Sequence, residues 1–297
     1  MFPVRLLSVL FFLTLCFSCT GPDSSPATTE QGNATQNADP RIDPERPFQR
    51  RTNEGIARLR ATPAGTLVAE AIGAHGGLES WYGMSPLYYR FNYRPTEADK
   101  TIRDSYILND YVNARAVHTS ATEEGVTYGF DGRDAWKAPA GAEISIKPRF
   151  WSLTPYYFVG LPFVLADEGI NFEQLSDTTR AGTNYHRVKV TYDAGVGDAA
   201  GDYYVLWLHP ETKQLDALNY IVSYPGFFPD GGHLPEKLMV LSGKTTVNGI
   251  VLPTGYTTRW SSAPDEVITN ITVSEHAFRP DTPASAFDRP DNAETVE

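Results

Sequence analysis

KLMVLSGKTTVNGIVLPTGYTTRW, residues 237–260, is the stretch that decides the fold. Two runs rich in Val, Leu and Thr, Lys237–Val247 and Ile250–Trp260, are separated only by Asn248-Gly249. A two-residue loop must turn with positive φ, which Asn and Gly accept at least cost, so the pair reads as a tight hairpin between long antiparallel arms. The same grammar runs upstream. Strand-like segments rich in Tyr, Val, Ile, Thr and Phe are expected at Leu87–Tyr93, Ile102–Leu108, Tyr111–Thr119, Gly125–Phe130, Ala135–Lys137, Asn171–Ser176, Tyr185–Tyr192, Tyr203–Leu208 and Ala217–Tyr224, and downstream at Val267–His276. Asp131-Gly132 and His209–Lys213 supply further turns. No helical patterns alternate with these strands, which excludes a doubly wound α/β fold. The expectation is a mainly β (α+β) domain: one large, curved antiparallel sheet forming an incomplete barrel.

Two segments depart from that pattern. Pro63–His75 carries Leu67, Val68, Ala71, Ile72 and His75 on one face at helical spacing, with Thr62 as N-cap and Gly76-Gly77 as its end. Leu78–Tyr82 adds a further helical turn. Phe150–Leu165, FWSLTPYYFVGLPFVL, is too apolar for a free loop and too broken by Pro155, Gly160 and Pro162 for a long helix. It is expected as a short helix plus an apolar loop packed against the concave face of the sheet. Its aromatics Trp151, Tyr156, Tyr157, Phe158 and Phe163, together with Phe227 and Phe228 of a second aromatic loop and Trp136 of the Asp131-Gly132 hairpin, are the candidate ligand-binding residues. Such side chains line an apolar pocket or plug a concavity equally well, and both readings stand at this point.

The N-terminus sets the compartment. Arg5, then the apolar run Leu6–Phe17, then Ser18-Cys19 reads as a lipoprotein signal; the run falls short of the roughly 20 residues a membrane span needs. Cys19 is the expected lipidation site, giving a membrane anchor without a span. The chain has only two cysteines, Cys16 and Cys19, so the mature domain has no disulfide or thiolate chemistry. Residues 20–39 are polar and lack large apolar side chains, as a flexible tether does. The organisation expected is a signal at 1–18, a tether at 19–52, the sheet domain at 53–280 and a Pro/Asp-rich tail with little core at 281–297. The arginines between Arg41 and Arg60 are diluted by Asp43, Glu45 and Glu54 and read as a solvated connector helix starting near Asn53.

Charge and motifs restrict the function. With 25 Lys+Arg against 36 Asp+Glu the net charge is −11, which argues against nucleic acid as a partner. The six histidines show no H-E-x-x-H spacing, and there is no G-x-S-x-G elbow. His75 reads as a packed, hydrogen-bonded histidine, Asp131 as turn chemistry, and Asp198 and Asp202 as parts of a Gly-rich surface loop. No catalytic residue, metal or cofactor is called for.

The order of elements resembles a known superfamily. A lipoprotein-like start, a polar tether and a helix ending in His75-Gly76-Gly77-Leu78-Glu79-Ser80-Trp81 precede an antiparallel sheet containing Gly129-Phe130-Asp131-Gly132-Arg133-Asp134-Ala135-Trp136. Across roughly residues 64–278 this resembles the LolA/LolB-like superfamily of envelope lipid carriers, and more closely an uncharacterised family of Gram-negative envelope lipoproteins with that fold. The resemblance implies an incomplete β-barrel around a helical plug, with an apolar cavity for acyl chains. LolA carriers are soluble, whereas this chain has a lipobox-like start; LolB is lipidated but smaller, and its membrane-inserting loop has no clear match here. The expected function is therefore an outer-membrane lipoprotein that binds or carries a lipid, acyl chain or other hydrophobic small molecule. A non-enzymatic interaction subunit with a filled concavity is the alternative, and an envelope hydrolase the third reading.

Overall fold

The computed structural model describes residues 48–296. The signal-like stretch 1–18, Cys19, the polar segment 20–39 and Arg41 and Arg46 lie outside the described residues. Thirteen strands form a single sheet. They are β1 (Leu87–Pro95), β2 (Arg103–Asp110), β3 (Arg115–Ser120), β4 (Thr127–Phe130), β5 (Ala135–Ala138), β6 (Ile170–Arg180) and β7 (Thr183–Tyr192), followed by β8 (Tyr204–Leu208), β9 (Leu215–Tyr220), β10 (Lys237–Val247), β11 (Ile250–Trp260), β12 (Ala263–Phe278) and β13 (Glu294–Val296). The order is β13-β5-β4-β3-β2-β1-β12-β11-β10-β9-β8-β7-β6, so β13 and β6 are free edges and the sheet does not close. Every neighbouring pair is antiparallel. One long connection, β5 to β6, carries the apolar segment; β1 closes onto β12 and so joins the two runs of hairpins.

The expected hairpin of residues 237–260 forms, with Val247 opposite Ile250 and Lys237 opposite Trp260 and a register shift around Gly243. Asn248 and Gly249 take φ of 50° and 84°, as the short turn requires. Tyr111–Ala114, expected as strand, instead make the β2–β3 turn. Asp110 causes this: its carboxylate accepts from the Asn113 backbone N–H and from Arg115, fixing the turn, with Ala114 at φ 52°.

Five helices lie in the described residues: α1 (Gln49–Leu59), α2 (Pro63–Ala74), α3 (Leu78–Gly83), α4 (Pro148–Trp151) and α5 (Thr154–Val159), with a 3-10 turn at Phe163–Ala166. Thr62 caps α2 by accepting the Gly65 N–H. Just past the end of α2, Gly76 takes φ 119°, and a Cβ there would stand 2.6 Å from the Gly249 carbonyl; glycine lets the helix end abut the β10–β11 turn. The His75 carbonyl accepts Val251 N–H there.

Two boundaries differ from expectation. α1 begins at Gln49, inside the stretch expected as tether, because its buried Gly55 and Leu59 pack inward and its arginines find protein partners. Arg51 reaches Asp167 and the Val112 carbonyl, and Arg58 reaches Glu168 and the Ala166 carbonyl. The tail has little core, as expected, but it is attached to the sheet. Phe287 is buried, with the Arg115 guanidinium 4.8 Å from its ring, and β13 pairs with β5.

Trp81 joins these parts. Its indole is stacked between Tyr111 of the β2–β3 turn, 4.1 Å away, and Phe163 of the 3-10 turn, 4.5 Å away. Tyr111 donates its hydroxyl hydrogen to the Trp81 carbonyl, and Phe278 of β12 meets the indole edge-on. We expect Trp81→Ala to cost about 3–5 kcal/mol in urea unfolding. A loss below about 1 kcal/mol, close to the effect of ordinary surface changes, would show that the stack does not organise the core.

Candidate functional site

The segment 148–166 is pinned to the sheet by polar contacts on buried backbone. His118 of β3, buried, donates from Nε2 to the Ser152 carbonyl (2.8 Å), while its Nδ1 meets Ser105 Oγ at 3.0 Å. A carbonyl only accepts, so Nε2 carries the proton and Nδ1 accepts from Ser105. Burial pushes His118 down to about 4, so it stays neutral in this role. Tyr256 of β11 donates to the Phe158 carbonyl at 2.8 Å. His75, likewise buried and pushed down to about 4, bonds the Ala71 carbonyl within its own helix.

Held this way, the segment has two faces. Val159, Leu161, Phe163 and Leu165 are buried in the core with Trp81. Trp151, Tyr156, Tyr157, Phe158 and Val164 line a cavity of about 750 Å³ between the segment and the sheet. The segment is thus a plug that leaves space beside it. That volume lies within the roughly 300–1,000 Å³ of pockets that take small ligands.

The opposite wall comes from inward positions of the strands, including Phe91, Tyr93, Tyr204, Tyr220, Met239 and Ile271. Eight tyrosines line the space, and burial raises Tyr157, Tyr204 and Tyr220 above their usual range, so these hydroxyls stay protonated and present polar but uncharged groups to it. Tyr157 and Tyr192 join hydroxyl to hydroxyl. At the rim, Phe150 packs on Tyr224 and Phe227, and Lys147 bonds the Gly226 carbonyl.

Of the candidate ligand residues, Trp151, Tyr156, Tyr157, Phe158 and Phe227 meet at this cavity. Three do not line it. Phe163 is consumed by the Trp81 stack. Trp136 lies against Gly129, where a Cβ would stand 2.8 Å from its indole, and it pairs with Thr295 of β13. Phe228 is half-buried in the second aromatic loop, outside the cavity lining. Asp131 caps its own turn through the Arg133 and Asp134 N–H groups. Asp198 and Asp202, read as surface loop, in fact reach the cavity wall.

Sequence reading also missed Arg103 and Lys237, both on the lining. The available signal was strand phase. Arg103 shares the alternate positions of Ser105, Ile107 and Asn109, which are buried. Lys237 shares the phase of Met239, 1% exposed. Burial, then repulsion from Arg103, lowers Lys237 to about 8.

Among the described residues no helix is long and apolar enough to cross a membrane. The sequence matches the model of a family of unknown function, DUF6503, over residues 91–232. No curated protein matches it. In three dimensions it is similar to a LolA superfamily protein from Nitrosomonas europaea, with 15% identity, a TM-score of 0.51, and coverage of 77% of this chain and 98% of that one. It is similar also to a DUF1329 family protein from Desulfovibrio piger, with 15% identity, a TM-score of 0.50, and coverage of 76% and 97%. These likenesses establish a LolA-like fold.

Lys237 gives a signed test of the cavity's polarity. Its folded pKa of about 8 lies below the ordinary 10.5, so between these values the unfolded chain binds more protons and stability rises with pH. Lys237→Met removes that contribution. Its stability advantage over wild type should shrink between about pH 7 and about pH 9.5, read as the difference in urea midpoints, in which tyrosine ionisation cancels. A difference that stays constant with pH would place the ammonium in water.

Proposed function

We propose that this protein is an envelope lipoprotein, anchored in the outer membrane through Cys19, that binds or carries a hydrophobic molecule such as a lipid or acyl chain in its incomplete barrel. The observation that carries this reading is the cavity of about 750 Å³ bounded mostly by aromatic and aliphatic side chains on both the sheet and the segment 148–166. An interaction subunit would have no use for that space, and its concavity was expected filled. The mechanism is burial of apolar surface, worth about 0.8 kcal/mol per CH₂, with no covalent step. The LolA-like fold supports the reading, and Phe227, 41% exposed at the rim, offers an apolar approach to the cavity.

The test is titration with N-phenyl-1-naphthylamine, a neutral apolar fluorophore. Wild type should bind it saturably. Met239→Trp, which fills the cavity from β10, should weaken binding by about tenfold or more while the thermal melt persists. Absence of saturable binding by wild type, or undiminished binding by a folded Met239→Trp protein, contradicts the carrier reading. Cys19→Ala should accumulate as an unprocessed, unlipidated precursor; normal processing of that variant together with detergent-phase partitioning would contradict the anchor.

A further inference from the structure

Ten charged side chains line the cavity. Most are accounted for by a partner. Lys100 pairs with Glu97 and Asp99, and Arg149 with Asp198. Arg51 and Arg58 hold Asp167 and Glu168. Asp202 accepts the Ser223 N–H. The two that remain are Arg103 and Lys237, which have no ion pair among the described residues.

Strand alternation explains how they came to lack acids. The neighbour of each is an acid on the outer face, already occupied. Asp104 takes a bidentate bond from Arg90 and one from Asn92. Glu236 accepts from Tyr203 and Asn219. Because successive side chains point to opposite faces, the acids go out and the cations go in. Inside, each cation meets only rings. Arg103 sits 4.5 Å from the Trp151 ring and 5.2 Å from Tyr93, its cross-strand partner. Its Nε is buried with no hydrogen-bond partner. Lys237 lies 5.3 Å from Trp260 and 5.8 Å from Tyr220, its partners on the two adjoining strands.

Two like charges held in an aromatic wall, one with an unsatisfied N–H, are costly unless something anionic joins them. A guanidinium and an ammonium together match carboxylate or phosphate oxygens, with charge-assisted bonds from both. We propose that the ligand is an anionic amphiphile, an apolar chain ending in a carboxylate or phosphate, with its head group held by Arg103 and Lys237 and its chain along the aromatic wall. This rests on the carrier reading and deepens it. The repulsion from Arg103, which adds to the effect of burial on Lys237, is relieved when the anion arrives.

Displacement of the bound fluorophore by dodecanoate, dodecyl phosphate, dodecanol and inorganic phosphate separates the possibilities. Wild type should take at least one of the two anionic chains about tenfold or more tighter than dodecanol, and inorganic phosphate should displace nothing. The preferred anion identifies the head group. In Arg103→Gln, Lys237→Gln and the double variant, that preference should fall towards unity while dodecanol displaces as in wild type, which also reports that the cavity remains folded. Equal displacement by dodecanol and both anions in wild type overturns the head-group assignment and leaves the carrier reading standing. A preference that survives the double variant overturns the assignment too, as does inorganic phosphate acting as well as dodecyl phosphate. No displacement by any chain overturns both.

Discussion

The stack Phe163–Trp81–Tyr111 is the contact on which the rest depends. It brings together a short helix, the β2–β3 turn and the end of the apolar segment, three pieces far apart in the sequence. An open sheet has no closing strand pair to fix its curvature, so something on its inner face must do so. Trp81 fills that role with two offset faces and one edge in contact with rings. Tyr111 then stacks on Tyr156, whose ring lines the cavity, so the same ladder that closes the core also sets the position of the cavity wall.

The segment 148–166 resolves the choice between plug and pocket by serving as both. Its helices are only four and six residues long, too short to hold themselves. They persist because side chains of β3 and β11 bond their carbonyls and because one face is locked under Trp81. The other face is left to the cavity. The segment's backbone is held at Ser152 and Phe158 and its far end at Phe163, and space remains beside it where aromatic side chains rather than backbone face the strands.

Strand existence and the long 237–260 hairpin were legible in the sequence, since period-two patterning and Asn-Gly chemistry are local signals. So were the capped helix at Thr62, the turn at Asp131 and the buried, bonded state of His75. What failed was decided by distant partners. Phe163 and Trp136 are aromatic like their neighbours, and nothing local says that one is consumed by Trp81 and the other laid over Gly129. Tyr111–Ala114 look strand-like, but Asp110 and Arg115 bend them. The tail's attachment was not legible, because it depends on one residue, Phe287, and on the pairing of β13 with β5. Arg103 and Lys237 were legible in principle from strand phase, but only once the inward face was known. The cavity itself is a volume between segments far apart in the chain, and no local pattern encodes it.

The central claim is that the space beside the plug is a ligand site. Native mass spectrometry of the protein purified from its membrane without apolar additives, followed by solvent extraction, tests it most directly. The account predicts a discrete added mass beyond the covalent protein, lost on extraction and identified in the extract as a molecule with an apolar chain. The bare protein mass alone, from material that also fails to take up such a molecule when it is supplied, would contradict it.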